Sequence, residues 1–363
     1  MSATRPRLAG LLVAAAAGLF AAGAFAQEKA AENQPPTLIP PLPAEGFPLP
    51  AETADPALPG PHRQAPPEPS ATNGDDGDFA YGAFQRGWYL TALALATPRA
   101  EAGDPQAQTL LGVLYETGLG IPQDKEKAAS WYQLAVESGD KRAAGRLGQL
   151  YLVGQGVPQD KKKAADLFEI GAEVNIPEAI YNLAIIYQSG DGRPYDPIKA
   201  RDLLERAADL GDVEAQYTLA LAYLEGPADV RNDGRGAFWM GRAARRGHIG
   251  AQVYYGILRF KGQGVDPNET EAAAWFELAA RAGNPVAMNR LARVYFYGRG
   301  RPADPVEGAK WHLLARAAGV SDLQLDGILA GLDDDQREEA QRQANAFGQV
   351  VATPPRDAAS DSP

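Results

Sequence analysis

The stretch GLGIPQDK, residues 118–125, sets two glycines, a proline, an acid and a lysine within eight positions. Glycines that free backbone N–H groups beside a lysine could cradle a phosphate, and the acid could help to hold a metal ion. A phosphate loop needs one such turn, following a strand and opening a helix. Here Gly118-x-Gly120 returns as Gly154-x-Gly156, Gly190-x-Gly192, Gly262-x-Gly264 and Gly298-x-Gly300, and its charged neighbours return with it. Repetition between helices assigns the motif to turning one helix back onto another.

Other residue types that carry chemistry are sparse or badly placed. His62, His248 and His312 fall in unrelated contexts, and no H-E-x-x-H exists. The chain has no cysteine, which excludes disulfides, thiolate nucleophiles and Cys-ligated zinc. No G-x-S-x-G elbow occurs, GDDGD (74–78) lacks the spacing of a calcium loop, and Asn268-Glu269-Thr270 reads as a chance sequon. No catalytic residue, metal ligand or cofactor is therefore expected.

The elements that position these residues emerge at a step of 36. Gly103, Gly139, Asn175, Gly211, Gly247, Gly283 and Gly319 form one column; Asn is the residue type after Gly that best tolerates a left-handed backbone. Ala107, Ala143, Ala179, Ala215, Ala251 and Ala287 form a second. Tyr115, Tyr151, Tyr187, Tyr223 and Tyr295 form a third, interrupted by Arg259. A Trp/Leu column runs through Trp131, Trp239, Trp275 and Trp311, and is read as core packing. Each unit predicts two helices. Asp104 caps the first, Pro105 opens it, Gly118 and Gly120 end it, Asp124 caps the second, and Gly139 ends that. Small residues at 112, 148, 184, 220, 256 and 292 let paired helices approach closely.

The pattern Ala…Leu-Gly…Tyr…Gly-x-Gly-Val/Ile-Pro-x-Asp…Ala…Trp/Tyr…Ala…Gly resembles the Sel-one-like repeat, a relative of the tetratricopeptide repeat. RLGQLYLVGQGVPQDKKKAADLF (146–168) carries the likeness closely. The resemblance implies an all-α fold: an α-solenoid of stacked antiparallel helix pairs with helical caps and a concave groove lined largely by first helices. It also implies protein–protein scaffolding, often at membranes or in signalling. A cysteine-rich branch is associated with β-lactam binding, and this chain departs from it. Unit 4, with GPADVRND at 226–233, lacks the second glycine and the proline, and unit 5 has Asp266 where proline is usual; both loops are expected to be shaped differently.

The flanks complete the organisation. Residues 1–26 read as a signal peptide: Arg5 and Arg7, an apolar run from Leu8, and Ala24-Phe25-Ala26 as the cleavage site. Cleavage after Ala26 places the protein in the periplasm or outside the cell; an uncleaved leader would be a membrane anchor. Residues 27–78 hold 13 of the 29 prolines and are expected to be a disordered linker. An N-terminal capping pair is expected over 79–103, six repeats over 104–319, capping helices over 320–347 and a disordered tail over 348–363.

The formal charge of −11 sits at the ends, leaving residues 81–320 neutral, so no basic stripe for nucleic acid is present. Within the array, residues 104–211 carry −4 and residues 212–319 carry +3. First-helix columns 109, 110, 113 and 117 escape the core, and a partner would read the array there. They place Tyr181 and Asn182 in unit 3, Tyr217 in unit 4, Tyr254 in unit 5, and Asn289, Arg290, Arg293 and Tyr297 in unit 6; Arg259 joins them because it replaces a core tyrosine. The expected function is a non-enzymatic exported scaffold that binds a protein or peptide in its groove, touching a membrane only through a partner or an uncleaved leader. An envelope enzyme or a protein that binds peptidoglycan or a β-lactam is the competing reading.

Overall fold

The computed structural model describes residues 77–352, apart from 227 and 229. The expected leader, nearly all of the expected linker, and residues 353–363 lie outside the described residues. Among the described residues all regular structure is helical. Contacts divide the chain after Arg206 into an N-terminal and a C-terminal unit.

In the N-terminal unit α1 (Gly77–Gln85) and α2 (Tyr89–Glu101) form the cap. Three hairpins follow: α3 (Pro105–Thr117) with α4 (Lys125–Glu137), α5 (Arg142–Val153) with α6 (Lys161–Glu173), and α7 (Pro177–Ser189) with α8 (Pro197–Asp209), whose last residues cross the division. The C-terminal unit continues with α9 (Val213–Glu225) and α10 (Asp233–Arg245), α11 (Ile249–Lys261) and α12 (Glu269–Arg281), and α13 (Pro285–Tyr297) and α14 (Pro305–Ala317). It closes with the cap helices α15 (Leu323–Ala330) and α16 (Asp334–Ala352). The fold class is the expected all-α solenoid of helix pairs.

Local chemistry sets the boundaries. Asp104 accepts from the N–H groups of Gln106 and Ala107, and Asp124 from that of Lys127. Each bond satisfies a helical donor that has no intrahelical partner. One backbone bond closes every hairpin: the N–H of Asp124 donates to the carbonyl of Tyr115 at 2.9 Å. The pairs Asp160–Tyr151, Asp196–Tyr187, Asn232–Tyr223, Asn268–Arg259 and Asp304–Tyr295 repeat it at 2.7–3.0 Å. Position 259 therefore keeps its backbone role although its side chain has changed.

The loops explain their second glycine. A Cβ on Gly156 would lie 2.2 Å from the carbonyl oxygen of Lys125, and one on Gly300 would lie 2.1 Å from that of Glu269. The loop of one hairpin thus rests on the first residue of the preceding second helix. Unit 4 departs as expected, with Gly226 extended at φ −66°. Unit 5 does not depart: Gly262 and Gly264 keep φ of 71° and 69° despite Asp266. The left-handed glycines carry the turn, and the proline only reinforces it.

Packing inside a hairpin follows ring against glycine. A Cβ on Gly112 would lie 2.4 Å from the Tyr132 ring, on Gly148 2.8 Å from Phe168, and on Gly256 2.6 Å from Phe276. Where the second helix carries the smaller Leu204 or Met240, the first carries Ala184 or Ala220. Leu111, Leu114 and Leu147 fill the adjoining layer with almost no exposure, each contributing about 1.5–3 kcal/mol. At the C-terminus Phe347 meets Trp311 edge-on at 5.1 Å. That anchor carries α16 to Ala352, past the expected start of a tail at residue 348.

Candidate functional site

The repeat places a second-helix ring beneath the first helix of its own hairpin and beside the next. In the N-terminal unit that ring is Tyr132, buried on α4. Its hydroxyl donates to Glu116 Oε2 at 2.6 Å, and Arg146 Nη1 of α5 reaches the same oxygen at 3.1 Å. Burial and the adjacent Glu116 carboxylate push the Tyr132 hydroxyl far above the usual tyrosine range. It therefore stays protonated and donates. Glu116 and Arg146 neutralise one another with the Tyr132 hydroxyl bonded to the same carboxylate, and this stretch of the first-helix face is closed by its own side chains.

Advancing four repeats replaces Glu116, Tyr132 and Arg146 by Phe260, Phe276 and Arg290. The carboxylate and the hydroxyl are gone, and the arginine remains. A cavity of about 540 Å³ opens here between α11 and α13. Its floor is Ile257, Phe260, Phe276 and Val294; Lys261, Arg290, Arg293, Tyr297 and Arg299 complete the lining, and no acid faces it. Arg299 lies over the Phe260 ring at 4.3 Å and pairs with Glu269; Arg293 pairs with Asp322 at 2.6 Å. Arg290 and Lys261 form no hydrogen bond or ion pair among the described residues, and both are exposed.

Arg290, Arg293 and Tyr297 thus share this cavity, at the same repeat positions as Tyr254, Ile257 and Lys261 of α11. The other expected residues are dispersed. Asn289 is buried and donates to Asp322 at 2.9 Å, so with Arg293 it ties α13 to the N-cap of α15. Burial opposes ionisation of Asp322, but the bonds from Asn289 and Arg293 outweigh it and hold the carboxyl below the usual range. Tyr217 stacks on His248 at 4.2 Å between ring centres, and the Tyr254 hydroxyl donates to Glu225. Burial raises both hydroxyls above the ordinary tyrosine value, helped at Tyr254 by the bond to Glu225. His248 is the N-cap of α11, its Nδ1 accepting from Ala251 N–H at 2.9 Å. Tyr181 and Asn182 lie apart in the N-terminal unit on α7, where Asn182 donates to the Glu178 carbonyl at 2.9 Å.

Arg259 has a separate explanation. In units 2 to 4 the column tyrosine accepts from a cation twelve residues on: Lys163 to Tyr151, Lys199 to Tyr187 and Arg235 to Tyr223, each at 2.7 Å. Unit 5 exchanges the partners, so that Arg259 of the first helix pairs with Glu271 of the second and donates to the Asp266 carbonyl at 2.8 Å. The cation has crossed the hairpin, and Arg259 does not reach the cavity lining.

Sequence reasoning passed over Phe260, Phe276, Ile257, Lys261 and Arg299. The signal was available: Phe260 and Phe276 are the repeat counterparts of a paired Glu116 and Tyr132. Among the described residues no cluster of three or more His, Asp or Glu is arranged to hold a metal ion. No helix among them is long and apolar enough to cross a membrane.

The Sel1 repeat family matches residues 105–140, 141–175, 177–212, 213–248, 249–284 and 285–320. The chain belongs to the Sel1 repeat family. A Sel1 repeat protein of known crystal structure from Oxalobacter formigenes is 28% identical, with a TM-score of 0.60 over 67% of this chain and 99% of that one. A protective antigen of uropathogenic Escherichia coli with the SLR fold is 22% identical, with a TM-score of 0.47 over 79% of this chain and 73% of the other. An immunity protein of Pseudomonas aeruginosa is 21% identical, with a TM-score of 0.37 over 69% and 82%. Comparison with curated proteins found no match. The recurring residues of the chain serve the stacking of its Sel1-repeat hairpins.

Proposed function

We propose that the protein is exported to the periplasm or beyond and scaffolds protein–protein contacts in the cell envelope, in service of a membrane signalling or assembly complex. The observation that carries the reading is the unpaired Arg290 on the first-helix face of the C-terminal unit. Elsewhere the arginines of this face are consumed: Arg146 by Glu116, and Arg293 by Asp322. An exposed cation above an apolar floor is a feature of binding surfaces rather than of packing. The leader-like residues 1–26, with Ala24-Phe25-Ala26 before Gln27, support export.

Two measurements test this. N-terminal sequencing of the protein recovered from an envelope fraction should begin at Gln27; recovery with residues 1–26 intact would contradict release. Cross-linking in the native envelope should capture a partner that is lost when Tyr254 and Arg290 are changed together. Capture unaffected by that pair would move the partner to another face.

A further inference from the structure

The N-terminal unit holds, inside the same chain, a filled version of the site that is open in the C-terminal unit. Glu116 puts a carboxylate against the arginine of the next hairpin and against the second-helix ring. At the equivalent place in the C-terminal unit the carboxylate has become Phe260 and the ring has lost its hydroxyl, while the arginine is retained as Arg290. Adding Lys261 puts two unpaired cations at one cavity, with no acid in the lining.

From this correspondence we infer that the cavity between α11 and α13 binds a peptide segment presenting an aromatic or large aliphatic side chain flanked by carboxylates, the apolar group entering over Phe260 and Phe276 and the carboxylates pairing with Arg290 and Lys261. This deepens the scaffold reading and rests on it. The volume of about 540 Å³ exceeds that of one side chain and accommodates a few residues of an extended segment. Charge complementarity selects the flanking acids. Charge-assisted bonds from an arginine favour a carboxylate over a neutral amide. The floor selects the central residue, since Ile257, Phe260, Phe276 and Val294 offer it no hydrogen bond from their side chains. Tyr297, at the C-terminal end of α13 and 46% exposed, adds an aromatic wall.

One competing occupant belongs to this chain. Residues 44–55, AEGFPLPAETAD, also place acids around a phenylalanine. A partner's segment is favoured here, because only Glu45 stands within two residues of Phe47 and the next acid, Glu52, comes five residues on.

The test is fluorescence anisotropy with the purified full chain and a labelled hexapeptide, capped at both ends, carrying phenylalanine between two glutamates. Saturable binding should weaken at least tenfold with glutamines in place of the glutamates, and likewise with alanine in place of phenylalanine. Arg290→Gln with Lys261→Gln should weaken it at least tenfold with unchanged helical circular dichroism, whereas Arg146→Gln should leave it unchanged. Equal binding of the glutamine peptide, or binding lost equally with Arg146→Gln, would overturn the assignment. Deletion of residues 27–76 that raises affinity tenfold would also overturn it, by showing the chain's own segment in the cavity. If the hexapeptide fails to bind while envelope cross-linking still captures a partner, the cavity assignment falls and the scaffold reading stands.

Discussion

Glu116, Tyr132 and Arg146 in the N-terminal unit, and Phe260, Phe276 and Arg290 in the C-terminal unit, hold equivalent places in the repeat, yet one set is closed and the other open. The backbone positions correspond, the small residue under the ring is glycine in both, and the arginine is conserved between the two places. Only the carboxylate and the hydroxyl differ. Architecture therefore fixes where a ring and a cation stand, and two substitutions decide whether the cation is satisfied internally or left for another molecule. A repeat fold can vary its binding face at low cost in stability when the variable groups lie above the packed layer.

That comparison can be broken most directly by exchanging the sets. Phe260→Glu with Phe276→Tyr should rebuild the closed triad around Arg290 and reduce hexapeptide binding by tenfold or more, with helical content retained. Undiminished binding would show that the cavity is not the reading site. The reverse change, Glu116→Phe, strands the buried Tyr132 hydroxyl and should lower stability by about 1–3 kcal/mol in urea denaturation. A neutral outcome would mean that the triad contributes nothing to the fold.

Gly112→Ala and Gly256→Ala sharpen what the two places share. Each puts a methyl group within 2.6 Å of a ring buried in its own hairpin, and each should destabilise by about 1–3 kcal/mol. A cost at only one of them would separate the units in packing as well as in charge.

Smaller effects should come from acid. Asp104 in the N-terminal unit and Asp322 in the C-terminal unit both have carboxyls held below the ordinary aspartate range, their bonds to backbone N–H groups and arginines overcoming burial. A depressed native pKa means that the unfolded chain binds more protons near pH 4. The stabilisation is therefore present above that range and lost as pH falls through it. Asp322→Asn should lower the urea midpoint at about pH 7 and match the wild type at about pH 2.5. A difference that persists at low pH would assign the effect to something other than ionisation.

Much of this was legible in the sequence. The glycine column announced the turns, including Asn175, the sole non-glycine with positive φ among the described residues. Asp104 and Asp124 announced the caps, because capping is local and needs no tertiary contact. The cavity was only half legible. Columns 113 and 117 pointed to Arg293 and Tyr297, and column 110 to Arg290, whereas Ile257 and Lys261, in those same columns, were not singled out. Phe260 and Phe276 belong to columns outside both the recurring core set and the four first-helix columns, so the pattern does not single out their exchange for Glu116 and Tyr132. Nor does sequence tell which arginines are paired: Arg293 and Arg290 stand three residues apart, and Asp322 from the cap satisfies just one. Arg259 is satisfied in the same way, by Glu271 across its hairpin. Pairing is a tertiary property, whereas capping and turning are written locally.

Val153 and Tyr297 mark equivalent exposed positions on the two faces. A photoreactive amino acid placed at each in turn, in cells expressing the full chain, compares the faces directly. Position 297 should cross-link to an envelope protein and position 153 should not, with the adduct at 297 lost in the Phe260→Glu, Phe276→Tyr background. Equal adducts from both positions, or an adduct at 297 indifferent to that exchange, would contradict a binding face set by the unpaired cation of the C-terminal unit.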